Sequence, residues 1–546
     1  MTRVLLLGGY GGFGARIAHR LAAEGWDVLV AGRNLNKAER FCAGRTNLTP
    51  LALDRDRDLV AALAQHRPFA LIDAAGPFQG ASYDVACASI AAGCHYVDIA
   101  DGRDFVANIG SLDSEARAAN VAVISGASSV PALSGAVIRA LAYNMADIRA
   151  VEMAISASNR ATAGPSVTRA IFSYIGRPIR LWRGGCWTTG HGWQDMRRET
   201  FDVASIAPLR KRLVALADVP DLELLPARLP DRPAVTFRAG TEMAVFNCAL
   251  WLASWPIRIG LLKRLDAFIP FILDVQQIAS RLGSDRSGMI VRLFGIVDGQ
   301  RVERRWTLIA SDGTGPEIPG LAAPRVLRQI KQGTITAGAR DAGTLLTLED
   351  FEPAFASLSI RHETRDIAQP PPLYARVLGA SFKKLPPHVR AIHDVLRDKG
   401  VTGRATVTRG VNPLARMIAT LFRFPRAGEH DLHVSFDEHN GVETWTRDFS
   451  GRCFRSHLSQ EGPYLVERFG PLRFGFALEA DDNGLTMHIR RWWLGPVPLP
   501  LALAPRSRAR EWEADGRFHF EVPIVLPLIG LVVFYRGWLQ SRVAAD

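Results

Sequence analysis

At 546 residues, with 48% hydrophobic and 22% charged residues, the chain is globular and too long for one core, so two to four domains are expected. Its net charge of +12 is almost all arginine, since seven of the 66 basic residues are lysine; with no basic run and no basic stripe interleaved with aromatics, the charge argues against a nucleic-acid partner. Six cysteines without a CxxC pair fit buried thiols in a reducing cytoplasm rather than a disulfide framework, and glycines from position 8 onward interrupt the N-terminal apolar run too early for a signal peptide.

The chain opens on an apolar strand, Arg3 to Leu7, followed at once by Gly9, Gly11 and Gly14 in GxGxxG spacing, with Gly8 and Gly12 between them. In this strand–turn–helix context the spacing is a dinucleotide fingerprint. One glycine permits the turn, one lets backbone N–H groups approach a pyrophosphate, and one packs the helix on the strand. Gly9, Tyr10, Gly11, Gly12, Phe13 and Gly14 are therefore expected cofactor contacts. The amphipathic helix beginning near Phe13 aims its positive end at the phosphates.

A second strand, Asp27 to Ala31, ends in Gly32, Arg33 and Asn34. The acid that commonly grips the ribose of NAD is missing between Val28 and Ala38, and an arginine stands near its place, which predicts NADP with Arg33 and Asn34 at the 2′-phosphate. The alternative is a solvated turn arginine. A third strand ends at Asp54, an adenine-side contact or a turn cap, and a fourth, Phe69 to Ala74, runs into Ala75, Gly76, Pro77 and Phe78. A Gly-Pro break at the carboxyl end of a parallel strand borders the nicotinamide side in such sheets. The fifth strand, His95 to Ile99, leads to Asp101 and Arg103, and the sixth, Val121 to Ser125, leads to a small-residue turn containing Ser128 and Ser129.

The ordered segments GGYGGFG, AGRN, AAGPF, AGCHYVDI and VISGASSVPALS resemble the saccharopine dehydrogenase-like NADP-binding oxidoreductases over about the first 135 residues. The resemblance implies a Rossmann half, an NADP site and a following α+β substrate domain. Many relatives read Gly-Glu shortly after the HYxD aspartate; here Ala100, Asp101, Gly102 and Arg103 stand there.

From Leu133 to Ala368 the pattern is α+β, with strands at Ala150 to Ser156, Ala234 to Arg238, Met289 to Val297 and Val302 to Ile309, the last two a hairpin turning at Asp298 and Gly299. Helices are expected near Ser166 to Ile175, Ile257 to Leu282 and Arg325 to Lys331. The Arg- and Trp-rich stretch Arg177 to Glu199 reads as a lid or an exposed loop. Gln369 to Pro372 is a stiff linker. Beyond it a helical segment gives way to alternating strands with hairpin turns at Asn440-Gly441 and Asn483-Gly484, which predicts a curved, partly closed antiparallel sheet. This tail resembles a bacterial domain of unknown function fused behind such reductase halves, and a closed apolar sheet of this type suits a lipid-like ligand. The apolar runs Ala244 to Ile257 and Val522 to Tyr535 are short for a membrane span, which leaves peripheral contact.

The expected fold class is thus an α/β doubly wound parallel sheet (residues 1–132), an α+β substrate domain (133–368) and an antiparallel β-rich domain (373–546). For proton transfer the candidates are Tyr96 and Asp98, two apart and on one face of the fifth strand, with Asp101 beside them; a buried tyrosine and a capping aspartate are the alternative. No tyrosine has lysine four residues on, so the Tyr-x-x-x-Lys mechanism is unsupported. His430, His433 and His439 have no cysteine cluster and the wrong spacing for one strand face, so no metal is expected. The predicted function is an NADP-dependent oxidoreductase acting on a small or lipid-like carbonyl, imine or enoyl group, with a homodimer as the expected assembly; the alternative is a non-catalytic NADP-binding module whose tail binds lipid or a protein partner.

Overall fold

The computed structural model describes residues 2–160, 165–262 and 282–541; most of the helix expected at Ile257 to Leu282 lies outside them. The first unit alternates short apolar strands with helices: β1 (Arg3–Leu7), α1 (Gly12–Ala23), β2 (Asp27–Gly32), α2 (Leu35–Cys42), β3 (Leu48–Ala52), β4 (Ala70–Asp73), β5 (His95–Asp98) and β6 (Ala122–Ser125). All pair in parallel, as strands buried on both faces do. Odd and even positions sort to opposite faces. Val4, Leu6, Ile72 and Val97 join the core shared with the following domain, while Leu5, Leu7, Leu71 and Tyr96 pack against the helices on the other face.

A seventh strand completes the sheet, and it comes from residues Gly338–Asp341, which pair in parallel with β6. The first domain is therefore discontinuous, which corrects the expected boundary at residue 132. The helix Ala322–Lys331 also returns to it, with Lys331 Nζ 4.7 Å from the centre of the Trp26 ring and Arg328 paired to Glu24 at 2.9 Å.

Between the two visits the chain builds six strands of a second seven-stranded sheet, and after the return it adds the seventh, 360–368; the order is 197–201, 209–216, 234–241, 146–157, 287–297, 300–310, 360–368. The hairpin at Asp298 and Gly299 forms with both residues at positive φ, 48° and 75°, the type I′ geometry that suits twisted strands. The Arg- and Trp-rich stretch is ordered, folding into the two-stranded hairpin Pro178–Arg183 and Cys186–His191.

The C-terminal domain is a closed antiparallel barrel of ten strands. It runs from Leu472–Asp481 through 464–469, 452–461, 442–449, 428–439, 398–409, 530–541, 517–526 and 508–514 to 484–494, which pairs back onto the first. Complete closure, rather than the partial closure expected, removes every exposed edge from the ten-membered ring. Gln369 to Pro372 is not a free spacer: Gln369 N–H donates to the Arg301 carbonyl at 2.8 Å and Arg301 Nε donates to the Pro370 carbonyl at 3.2 Å.

The barrel is seated on the second domain by a close backbone approach. The turn between the two Arg/Trp strands enters beside Gly400, where an added Cβ would lie 1.7 Å from the Gly184 carbonyl oxygen. Gly184 N–H donates to Asp398 Oδ1 at 2.7 Å, and His433 Nε2 meets the Gly184 carbonyl at 2.7 Å. Beside this contact Arg397 forks onto Glu152 at 2.6 and 2.8 Å. Burial raises the cost of that carboxylate, but the Arg397 charge outweighs it and holds the Glu152 acid well below the usual carboxylate range. Gly400→Val should therefore force the two backbones apart, lowering stability by about 1–3 kcal/mol and speeding protease cleavage near residues 369–372 in the intact chain; unchanged melting and cleavage would show that the contact is not restrictive.

Candidate functional site

The carboxyl ends of β1, β2, β4, β5 and β6 form one edge, where ligands bind in open parallel sheets. The glycine turn after β1 is built for close approach. Gly8, rather than Gly9, takes the positive φ of 69°. At Gly14 an added Cβ would lie 2.1 Å from the Gly8 carbonyl oxygen, so only glycine lets α1 start against the turn. The helix has Gly11 at its N-cap, no capping side chain and no acid in its first turn, which leaves its positive end directed at the edge.

Tyr10 ties this turn to the end of β2. Its hydroxyl accepts the Asn34 N–H at 3.0 Å, and its ring fills the space a side chain at Gly32 would need, within 2.5 Å. Arg33 is exposed beside that contact, and Asn34 caps α2 by accepting the Lys37 N–H at 3.0 Å. Asp54 caps its own turn, accepting the Asp56 N–H at 3.2 Å. The neighbouring Arg55 crosses the edge instead, donating to the Ala75 carbonyl at 2.9 Å and lying 3.6 Å from Asp73. Position rules that look for an acid at the end of the third strand overlook it.

At the other end of the edge Asp98 is fully buried. Its Oδ1 accepts from Ala100 N–H at 2.9 Å, Ser125 hydroxyl at 3.0 Å and Gly126 N–H at 2.7 Å. Burial is the dominant effect on this acid and pushes its pKa up to about 7 against those donors. Asp98 is thus a positioning residue that joins the turns after β5 and β6. Tyr96 is wholly enclosed on the far face, its phenol held well above the ordinary value first by burial and then by the Asp98 and Asp73 carboxylates. Neither Tyr96 nor Asp98 lines the cavity at the sheet edge, because an alternation argument places residues on a shared face without saying whether that face meets solvent or core.

Asp101 and Ser128, the residues that Asp98 positions, do line it. The cavity measures about 840 Å³, within the range of small-molecule sites. It runs from Phe13, Gly76, Pro77 and Phe78 at the sheet edge into the second domain, between the strand 146–157, the helix Pro165–Tyr174 and the helix Ala244–Arg258. Its wall is mostly apolar, with Ile155, Phe237, Leu250 and Met289 among the lining residues. Among the described residues three titratable side chains face this space. Asp101 Oδ1 accepts from Gln79 Nε2 at 3.0 Å and its pKa is raised by burial. Asp218 is raised by burial as well, despite Arg103 at 3.2 Å. The Tyr174 phenol is raised by burial first and then by the Asp101 and Asp218 charges, so it keeps its proton and can donate a hydrogen bond.

Arg103 stands beside this group but is committed elsewhere. It donates to the Arg180 carbonyl at 2.8 Å and pairs with Asp218 at 3.2 Å and Glu223 at 2.5 Å, clamping the turn after β5 to the second domain. Tyr174 and Asp218 escaped sequence reasoning because they lie 73 and 117 positions beyond Asp101 and carry no local motif. Of the tail's histidines, His430 meets the Arg426 carbonyl at 2.8 Å, His433 meets the Gly184 carbonyl at 2.7 Å and His439 meets Asp437 at 3.0 Å.

The family described as saccharopine dehydrogenase NADP binding domain matches residues 4–124, and the domain of unknown function DUF4166 matches residues 385–539. The chain thus joins a domain of the first kind to one of the second. No curated protein matches the sequence. Among solved structures, apo saccharopine dehydrogenase (L-Glu forming) from Saccharomyces cerevisiae aligns with 67% of this chain and 100% of its own at 14% identity and a TM-score of 0.44. GenD2 from gentamicin A biosynthesis, in complex with NAD, aligns with 68% and 96% at 13% identity and a TM-score of 0.33.

The Asp98 acid has a stability signature. Its folded-state pKa lies above the ordinary carboxylate value, so between about pH 4 and 7 the native state holds a proton the unfolded chain has lost, and stability falls as pH rises through that window. Asp98→Asn preserves an acceptor for the three donors. Its melting temperature should decline less between pH 4.5 and 7.5 than that of the wild type; parallel curves would rule out the assignment.

Proposed function

We propose that the chain is an NADP-dependent oxidoreductase whose substrate presents a carbonyl, imine or enoyl group on an apolar, lipid-like body. The observation that carries this reading is the continuity of the glycine-turn edge with a large apolar cavity bearing Asp101, Asp218 and Tyr174. The cofactor fits the residues present: the Gly8–Gly14 approach leaves a cradle free of side chains, and α1 offers an uncapped positive end. Backbone N–H groups of Gly9 to Gly14 would hold the pyrophosphate, and Arg33 and Asn34 the 2′-phosphate. Asp54 would stand on the adenine side. Ala75 to Phe78 and Ser128 would border the nicotinamide. When bound, the cofactor supplies or accepts a hydride.

The chain's own residues then have separable tasks. The apolar wall orients the substrate body and excludes water, which strengthens the polar interactions inside. Asp101, half-buried and held by Gln79, is raised above the ordinary carboxylate value, which favours passing a proton to or from the substrate heteroatom. Tyr174, which keeps its proton, donates a hydrogen bond to the same atom. Asp98 holds the turns that carry Asp101 and Ser128. The alternative of a non-catalytic NADP-binding module draws support from the burial of Tyr96 and Asp98 away from the cavity.

Titration with NADPH and NADH, followed by reduction assays on medium- and long-chain aldehydes and enones, tests the reading. NADPH binding with chain-length-dependent oxidation is the expected result; binding without turnover on any such substrate would favour the non-catalytic module. Arg33→Glu should weaken NADPH binding about ten- to a hundredfold, the equivalent of a lost charge-assisted hydrogen bond of about 1.5–3 kcal/mol, while leaving NADH binding nearly unchanged. Asp101→Asn should lower kcat by about a hundredfold or more with NADPH affinity retained; unchanged turnover would remove Asp101 from the proton path.

A further inference from the structure

The C-terminal barrel encloses a second cavity, about 380 Å³, which is separate from the one at the sheet edge. Its wall is almost wholly apolar and aromatic, with Phe422, Phe474, Phe476 and Met487 among the lining side chains, and Arg447, Glu467 and Glu511 among the few charged ones. Those charges are internally matched: Arg447 lies 3.4 Å from Glu467 and donates to the Ser456 hydroxyl at 2.8 Å, and Glu511 meets His393 at 2.6 Å. A barrel of this size whose interior is not filled by its own side chains has room for a ligand.

The two ends of the barrel differ. One end is plugged by the short helices Leu373–Leu378 and Pro387–His393, where Tyr374 stacks on His393 at 3.7 Å, and it faces the second domain through Asp398 and Gly400. Antiparallel pairing places at the opposite rim the turns that follow the strands 398–409, 442–449, 464–469, 484–494 and 517–526. That rim carries the helix Pro413–Leu421 as a cap. The cap's inner side sends Ile418 into the cavity wall, with Phe422 just beyond it. On its outer side Leu414, Met417 and Leu421, spaced on one helical face, are 52%, 61% and 75% exposed. Around the same rim Leu494, Val497, Leu501, Leu503 and Leu528 are also exposed. A soluble surface does not ordinarily gather so many large apolar side chains.

Charge specifies what covers them. Arg416, Arg423, Arg426, Arg506 and Arg508 are exposed on this rim and form no ion pair among the described residues. An apolar face bordered by arginines is the pattern that partitions into an anionic bilayer interface. No helix among the described residues is long and apolar enough to cross a membrane, so the contact is peripheral. We propose that the rim docks on an anionic membrane and that the barrel takes up one apolar chain of a membrane lipid through the mouth under the helix Pro413–Leu421.

The test uses the full-length protein with vesicles of phosphatidylcholine alone or with one-third phosphatidylglycerol, doped with pyrenedodecanoic acid. Flotation reads docking, and loss of pyrene excimer emission reads chain uptake. The wild type should float with the anionic vesicles and extract the probe. The triple variant Leu414→Asp, Met417→Asp, Leu421→Asp changes only exposed positions and should lose both by about tenfold or more. Met487→Trp fills the cavity and should float normally while extracting little; Leu526→Trp serves the same purpose if the first does not fold. Equal flotation with both vesicle types, or a triple variant that still floats, overturns the docking surface. Flotation without extraction by the wild type, or undiminished extraction by the filled barrel, overturns the lipid site.

Discussion

The organisation of the first two domains depends on a single topological constraint: the chain leaves the parallel sheet after β6 and must re-enter it as the strand Gly338–Asp341. Six strands of the second sheet lie between these points and the seventh, 360–368, follows the return, so the chain passes between the two sheets three times and the second cannot swing freely from the first. The re-entry point is fixed by close packing and charge. A Cβ at Gly135 would lie 2.0 Å from the Gly343 carbonyl oxygen, and Asp341 accepts the Gly343 N–H and Arg228 Nη1 at 2.9 and 2.8 Å. Glu317 joins Arg16 and Arg20 of α1 at 2.9 and 2.6 Å, so the chain just ahead of the return strand is tied to the helix that begins at the glycine turn. A cavity walled jointly by the sheet edge and the second domain follows from that anchoring.

The same region concentrates buried and half-buried carboxyl groups. Asp73, Asp98, Asp101 and Asp218 are all raised by burial, as is Asp221, up to about 6, where it accepts from the Ser134 hydroxyl at 2.6 Å. Burying an acid is unfavourable unless donors meet it. Here the donors are mostly turn N–H groups and hydroxyls, so each carboxyl fixes a turn that would otherwise be loosely held. Asp73 holds Ala75, Asp98 holds Ala100 and Gly126, and Gln79 holds Asp101. The loops at the strand ends owe their defined shape to these acids together with the apolar packing of Phe78, Ile99, Ala100, Ala127 and Val130.

Much of the first domain was legible because its signals are local. Glycine spacing, strand length and the Gly-Pro break each depend on a few consecutive residues, and alternation along β5 correctly put positions 96 and 98 on one side. What could not be read is what depends on distance in the chain. The seventh strand, four residues long and some 210 positions after β6, has no pattern that assigns it to the first sheet. Tyr174 and Asp218 meet Asp101 only through the fold. Tyr96 is enclosed, the alternative that alternation left open, because period-two reasoning does not say what covers a face. Closure of the barrel likewise rests on the pairing of its first strand, 398–409, with its last, 530–541, which no local pattern signals.

The barrel's attachment limits where motion can occur. Gly184 and Gly400 touch backbone to backbone, and the Glu152–Arg397 fork is shielded, so separating the barrel from the second domain would expose a buried ion pair and open a tightly packed contact. The plugged end is therefore the rigid one. At the opposite rim the cap helix packs on the barrel through the buried Ala415 and Ala419 and through Ile418 and Phe422, with Asn412 donating to the Ile529 carbonyl at 3.1 Å. The element that covers the cavity thus lies at the rim away from the second domain, and the cavity's access is separated from the contacts that fix the barrel in place.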